Sequence, residues 1–148
     1  MKNENFFKMY RNMVQRSPIF ALSIERLTQK AKIMESKKKY FMDCHLAGRK
    51  YYDADEVWDK LKVGTLLQLQ RDLENRHDAD AVAVMYHNEE DGEDYRIGYL
   101  PRESNETVAA ILEMGWTDMF ECRISKINEE AHPEYQVHLL VKIKRNNS

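Results

Sequence analysis

Between two apolar-rich runs, Leu66-Leu67-Gln68-Leu69 and Ala81 to Tyr86, the chain carries a polar stretch, Arg71 to Asp80. It is crowded with Asp72, Glu74, Asn75, His77, Asp78 and Asp80. A turn needs only a few polar residues, and Asn75 alone supplies turn chemistry. The surplus of side-chain function points to a site, since loops held on a rigid sheet are where sites lie. Two further clusters have chemistry to offer, Arg49-Lys50-Tyr51-Tyr52 and Ile97-Gly98-Tyr99-Leu100-Pro101. Cations beside aromatics suit single-stranded nucleic acid: phosphates meet Lys or Arg while bases stack on tyrosine faces, worth about 1–3 kcal/mol per base. Each cluster also has an ordinary structural reading, because a tyrosine at a strand end buries its ring and exposes its hydroxyl for packing reasons alone.

Catalysis fits these residues less well. His77 and Asp78 are adjacent, so their side chains diverge in most backbones, and no serine or cysteine nucleophile accompanies them. Asp72, Glu74, Asp78 and Asp80 invite a calcium or magnesium reading, but the central glycine and final glutamate of an EF-hand loop are missing. The five histidines show no ligand spacing, and two cysteines cannot make a Cys-rich zinc site. Nothing resembles a phosphate-binding glycine loop. The expectation is therefore no catalytic residue, no metal and no cofactor.

The elements that must position these clusters follow from periodicity. Residues 1 to about 39 read as helical. Phe6, Phe7, Tyr10, Met13 and Val14 fall on one face, and Ser17-Pro18 restarts the helix as N-cap and first-turn proline. Phe20, Ile24, Leu27, Ala31 and Met34 then repeat at a/d spacing, a stripe that has to cover the rest of the chain or pair with a second copy. Lys37 to Lys39 read as a charged helix end. From Tyr40 the period becomes that of strands. Tyr40 to Leu46, Leu66 to Leu69, Ala81 to Tyr86, Tyr95 to Leu100 and Met119 to Ile127 are strand candidates, the third and fourth forming a hairpin across an acidic turn. Asp53 to Lys60 gives one helical turn with Trp58 buried, and Pro101 to Met114 a helix capped by Ser104 or Asn105. Tyr135, Val137, Leu139, Val141 and Ile143 alternate with Gln136, His138, Leu140, Lys142 and Lys144, which predicts five inward side chains. Short strands with one helix among them imply a small, strongly bent sheet closing toward a barrel.

Composition narrows the class. Across 148 residues, 43% are hydrophobic and 32% charged, enough apolar material for a core in one ordinary domain. A formal net charge of −2 argues against a duplex-coating protein but not against a partner held by local contacts. Cys44 and Cys122 each fall inside a predicted strand and read as core thiols of a reducing cytoplasm. The first eight residues lack the apolar run of a signal peptide, and no segment approaches the ~18 apolar residues of a membrane helix.

In order and spacing, Gly-Arg-Lys-Tyr-Tyr, Gly-Thr-Leu-Leu-Gln-Leu-Gln-Arg-Asp with Asn-Arg-His-Asp-Ala-Asp-Ala-Val-Ala-Val, and Ile-Gly-Tyr-Leu-Pro resemble the HIRAN domain. That module lies N-terminal to SWI/SNF-type ATPases and stands alone in some bacterial proteins. The resemblance covers about residues 40 to 146 and implies an OB-like β-barrel that binds the 3′ end of single-stranded DNA. It places Lys50 where the family has a basic residue near phosphate, Tyr51 and Tyr52 at its paired aromatics, and Tyr99 after the glycine of its Gly-Tyr/His-Leu strand. Asn75 and Asp78 match its Asn-Pro-Tyr-Asp-type loop, with Arg76 and His77 where proline and tyrosine often stand. The ATPase motor and RING finger of large members are absent from this sequence.

The reading is thus a mainly β protein with α: a small OB-like β-barrel (40–146) with flanking helices and a helical N-terminal extension (1–39). Its expected function is non-enzymatic binding of single-stranded DNA 3′-hydroxyl ends, in repair or replication-fork processing, through Lys50, Tyr51, Tyr52, Asn75, His77, Asp78 and Tyr99. The rival readings are a peptide-binding or dimerising interaction module, self-associating through the N-terminal helices, and a metal-dependent nuclease using the loop carboxylates.

Overall fold

The computed structural model describes residues 7–9, 11, 18–35 and 37–146. The chain divides into two compact units, Met1–Lys37 and Lys38–Ser148. In the first, residues 7–9 are helical and α1 spans Pro18–Glu35. Ser23 and Thr28 turn their hydroxyls back to the Ile19 and Ile24 carbonyls, the local bond that lets such residues sit inside a helix. Phe6, Tyr10, Met13, Val14 and the Ser17 cap lie outside the described residues, as do the side chains of Ala31 and Met34. No helix among the described residues is long and apolar enough to cross a membrane.

The second unit is mainly β with α. Its strands are β1 (Lys38–His45), β2 (Leu66–Arg71), β3 (Val82–Asn88), β4 (Glu93–Tyr99), β5 (Phe120–Ile127) and β6 (Val137–Lys144), with α2 at Glu106–Glu113. They form one six-stranded sheet in the order β1-β6-β5-β2-β3-β4, every neighbour antiparallel. Helix α1 stops at Glu35, so Lys38 and Lys39 belong to a strand, not a helix end. The reason is tertiary: Lys38 pairs with Lys144 in register and its ammonium reaches Glu121 Oε1 at 2.9 Å.

Side chains on the inner face close the core. Val137, Leu139 and Val141 are fully buried beside Leu46, Val84, Ile97 and Ile124, each contributing on the order of 1.5–3 kcal/mol on leaving water. Tyr135 breaks the expected inward set. It ends a 3-10 turn at Pro133–Tyr135, Gln136 takes helical backbone angles, and the strand's period starts only at Val137. Cys122 is buried and Cys44 half-buried, both free. Burial pushes the Cys44 thiol up to about 12 and the Cys122 thiol higher still, so neither is a ready nucleophile. The expected long helix after Pro101 is divided into a 3-10 turn, Arg102–Ser104, and α2. Trp58 is only half-buried in the 3-10 helix Asp53–Lys60, which buries Ala54 and Val57 instead.

The sheet is not closed by a continuous ladder. Its two edges meet just beyond β1, where Ala47 N–H donates to the Tyr99 carbonyl and Tyr99 N–H to the Ala47 carbonyl, both at 2.9 Å. Gly98 makes this approach possible: a Cβ there would lie 2.5 Å from the Ala47 carbonyl oxygen and 2.8 Å from Leu46 Cδ1. The first neighbour is backbone and the second is a fully buried side chain, so neither yields cheaply. Gly98→Ala is therefore expected to destabilise the fold by about 1–3 kcal/mol, the usual cost of overpacking. Amide exchange should speed up at Ala47 and Tyr99 ahead of the β5–β6 ladder. An unchanged denaturation midpoint would show that the two edges part without cost.

Candidate nucleic-acid interface

The bridge delivers β1 into a tight turn. Gly48 has φ 72°, a conformation that costs glycine little, and its N–H donates to Glu134 Oε2 at 3.1 Å. Arg49–Tyr51 then form a 3-10 turn, closed by Tyr51 N–H on the Gly48 carbonyl at 2.9 Å. The two cations of this turn part company. The Arg49 guanidinium lies 4.0 Å over the Trp58 ring and pairs with Asp55 at 2.8 Å, whereas Lys50 is left exposed. Tyr51 is 79% exposed and Tyr52 38%; a tyrosine left that open has a whole ring face free for stacking.

Tyr52 meets Tyr99 edge-on, ring centroids 5.0 Å apart, a favoured geometry for aromatic pairs. The Tyr99 hydroxyl donates to Asp72 Oδ2 at 2.7 Å and accepts from Arg96 at 2.9 Å. Arg96 also covers the Tyr99 ring at 5.6 Å. Burial, then the Asp72 bond, pushes the Tyr99 phenol up to about 12, against an ordinary value of 10.0. Tyr99 is thereby a fixed donor that ties the strand end to the first residue of the β2–β3 loop.

That loop is folded by its own side chains. Asn75 Oδ1 accepts from the N–H groups of His77 at 2.8 Å and Asp78 at 3.1 Å. Asp78 Oδ1 accepts from Asp80 N–H at 3.0 Å, and its Oδ2 from the Asn105 amide at 2.7 Å. Arg71 donates to the Ala79 and Ala81 carbonyls, and the Arg102 guanidinium to the His77 carbonyl. Asn75 and Asp78 thus shape the loop, and the His77 side chain is exposed at its tip. Asn105 is 1% exposed yet makes no side-chain cap on α2, because its backbone is already helical (φ −96°, ψ −17°) rather than extended as a cap requires; its amide instead donates to Asp78.

Of the residues expected from sequence, Tyr52 and Tyr99 touch, Lys50 and Tyr51 sit on the same turn, and Asn75, His77 and Asp78 share a loop tied to Tyr99 through Asp72. The structure adds Asp72, Arg96, Arg102, Asn105 and Glu134 as the groups that hold this arrangement. Arg102 follows Ile-Gly-Tyr-Leu-Pro directly, and a cation right after that motif was a readable signal. The others depend on contacts between distant segments. Asp72 and Asp78 are engaged separately, one by Tyr99 and the other by Asn105, and among the described residues no group of three or more His, Cys, Asp or Glu could hold a metal ion.

The family model for the HIRAN domain matches residues 39–144, which takes in every residue of the two clusters and the loop. The chain belongs to the HIRAN domain family. The chain is similar to a Fanconi-associated nuclease 1 homolog of Oryza sativa subsp. japonica, 27% identical over 113 residues. That match spans 76% of this chain but only 10% of the relative. Among solved structures, a protein from Lactobacillus plantarum aligns with TM-score 0.59 and 19% identity, over 74% of this chain and 97% of its own. The HIRAN domain of human HLTF aligns with TM-score 0.47 and 19% identity, over 75% and 84%.

Two variants check the geometry. Asn105→Ala strips Asp78 of a buried donor and is expected to cost about 1–3 kcal/mol, with faster amide exchange at Asp78 and Asp80. Unchanged exchange there would show that the loop holds itself. Tyr99→Phe should destabilise the HIRAN domain at neutral pH, and the gap from wild type should narrow as pH rises. A raised phenol pKa contributes stability that is full below the ordinary value of 10.0 and lost as pH climbs through about 12. A gap that stays constant across that range, read by denaturant titration, would contradict the assigned hydroxyl bond.

Proposed function

We propose that this HIRAN domain is a non-catalytic module that binds DNA and seats the 3′-hydroxyl end of a single strand at the tyrosine turn. The observation that carries the reading is the exposed Tyr51 beside exposed Lys50, on a turn whose next residue, Tyr52, is braced against Tyr99. The turn that carries a stacking face and a phosphate-seeking cation is already fixed, so binding has only their side chains left to order. Membership of the HIRAN family supports it. Similarity to a chain named as a Fanconi-associated nuclease homolog supports a setting in DNA repair.

In this reading Tyr51 stacks on the terminal base, Lys50 meets a nearby phosphate, and Asp78 accepts a hydrogen bond from the free 3′-hydroxyl. Asp78 already takes one donor on each oxygen, but an ionised carboxylate has about four lone-pair sites, so acceptor capacity remains. A 3′-phosphate would set like charge against it. The end is then chosen by repulsion as well as attraction, and no base is read.

Fluorescence anisotropy on matched single strands ending in 3′-hydroxyl or 3′-phosphate tests this. The wild type should prefer the hydroxyl end. Asp78→Asn, which removes the charge and keeps one oxygen for Asp80 N–H while the Asn105 amide turns its own oxygen to the new NH2, should cut that preference by roughly tenfold, about 1.4 kcal/mol. Tyr51→Ala should weaken both ends alike, by tenfold or more. An Asp78→Asn protein with the full wild-type preference would remove the carboxylate from the role.

A further inference from the structure

Away from the tyrosine turn, the outer face of the β1-β6-β5 half of the sheet has a charge of its own. The registers align side chains in rows across the three strands: Tyr40 with Lys142 and Glu121, Asp43 with Leu140 and Arg123, His45 with His138 and Lys126. Lys38 and Lys144 pair at the far end. The inward partners on β6 are Val137, Leu139 and Val141, all fully buried, so these rows face outward. Five cations (Lys38, Arg123, Lys126, Lys142 and Lys144) stand in these rows against two carboxylates, Asp43 and Glu121, while at the margins Asp118 pairs with Lys144 and Glu134 lies beside His45.

The two carboxylates are already committed. Glu121 is held between Lys38 at 2.9 Å and Arg123 at 3.1 Å, with Lys38 foremost in drawing its pKa below the ordinary value. Asp43 accepts from the Tyr40 hydroxyl at 3.1 Å. The side chains of Lys126 and Lys142 make no ion pair or hydrogen bond among the described residues, and Tyr40, 63% exposed, lies across from Lys142 in register. Cations with an exposed aromatic between them are the chemistry that follows a nucleic-acid backbone.

This face also runs into the turn described above. His45 ends β1 three residues before Gly48, and its Nε2 lies 3.6 Å from Glu134, the side chain that accepts from Gly48 N–H. The Tyr135 ring, 55% exposed, lies 5.1 Å from His45. From His45 back to Lys38 the strand runs about 23 Å at strand rise.

We propose that this face is a second, sequence-independent contact surface for the single strand, which lays its backbone along β1-β6-β5 upstream of the seated end. The direction of the strand rests on the end-binding reading; the charge of the face does not. Binding then grows with strand length beyond the terminal nucleotides, and Lys126 and Lys142 carry the growth.

The test uses the full chain, with strands of about 4 and about 12 nucleotides bearing a free 3′-hydroxyl, lengths at the bottom and within the usual span of an OB-type site, and a circular single strand with no end. The wild type should gain roughly tenfold in affinity from the short to the long strand, with a log–log salt slope steeper by about 1.4 for two added phosphates. Lys126→Glu combined with Lys142→Glu should abolish that gain and the circle's binding, while keeping wild-type affinity for the short strand. The Lys126→Gln, Lys142→Gln pair should do the same more mildly, which separates charge loss from misfolding. Equal wild-type affinity for short and long strands would overturn the inference and leave end binding standing. Circle binding that survives Tyr51→Ala but vanishes in the double variant supports the surface even where preference for an end is absent. Were the double variant to lose adhesion to phosphatidylserine vesicles and keep the length gain on DNA, the face would be a lipid surface and the inference overturned.

Discussion

The close approach of Ala47 to Tyr99 is the constraint on which the rest of the second unit depends. Two hydrogen bonds of 2.9 Å join sheet edges that have no other backbone bond to each other among the described residues. They exist because residue 98 has no Cβ. The bridge converts an open six-stranded sheet into a curled one, so that the core can be buried on one side. It also fixes where the chain leaves the sheet: the next residue is Gly48, whose left-handed turn throws Lys50 and Tyr51 outward and sets Tyr52 against Tyr99. Fold closure and the placement of the exposed tyrosines are therefore one event.

Around that point the polar groups form a chain of single dependencies. Tyr99 holds Asp72, Asp72 holds the entry of the loop, Asn75 and Asp78 fold its middle, and Asn105 fixes Asp78 to the start of α2. Each bond is worth about 1 kcal/mol net, so none of them alone defines the loop. Together they spare a ligand the cost of ordering it. The same bonds account for part of the loop's wealth of carboxylates and amides: Asp72, Asn75 and Asp78 are spent on its own backbone, as expected where Asx turns replace regular pairing.

How much of this was legible from sequence depended on the range of the interaction concerned. The alternation through Val137, Leu139 and Val141 named the buried face correctly because it reflects a local period with a single core to satisfy. The hairpin of β3 and β4 was readable for the same reason. Lys37 to Lys39 were not, since a basic run after a helical pattern fits a helix end, and only Glu121, 83 residues away from Lys38, turns it into a strand. Tyr135 kept the right parity yet lies in a turn set by Pro133 and by His132, whose ring accepts from Glu134 N–H. Asn105 was identified by type as a cap and is used instead across 27 residues, on Asp78. The three clusters were visible as residues; which of them touch was decided by the bridge.

Charge is distributed so that shape and electrostatics have separate tasks. The loop beside the tyrosines carries Asp72, on the Tyr99 hydroxyl, with Asp78 and Asp80 further along it and Arg71, Arg96 and Arg102 bonded into its frame, while Lys126 and Lys142 lie on the outer face of β5 and β6. A surface meant to coat a polyanion would not place carboxylates at its stacking platform, because like charge there opposes every phosphate. On the end-binding proposal such carboxylates have a place: a few acidic oxygens admit a hydroxyl and oppose a further phosphate, while Lys50 and the proposed outer face attract the rest of the backbone. A net charge of −2 is compatible with nucleic-acid binding where the attractive charges are gathered locally.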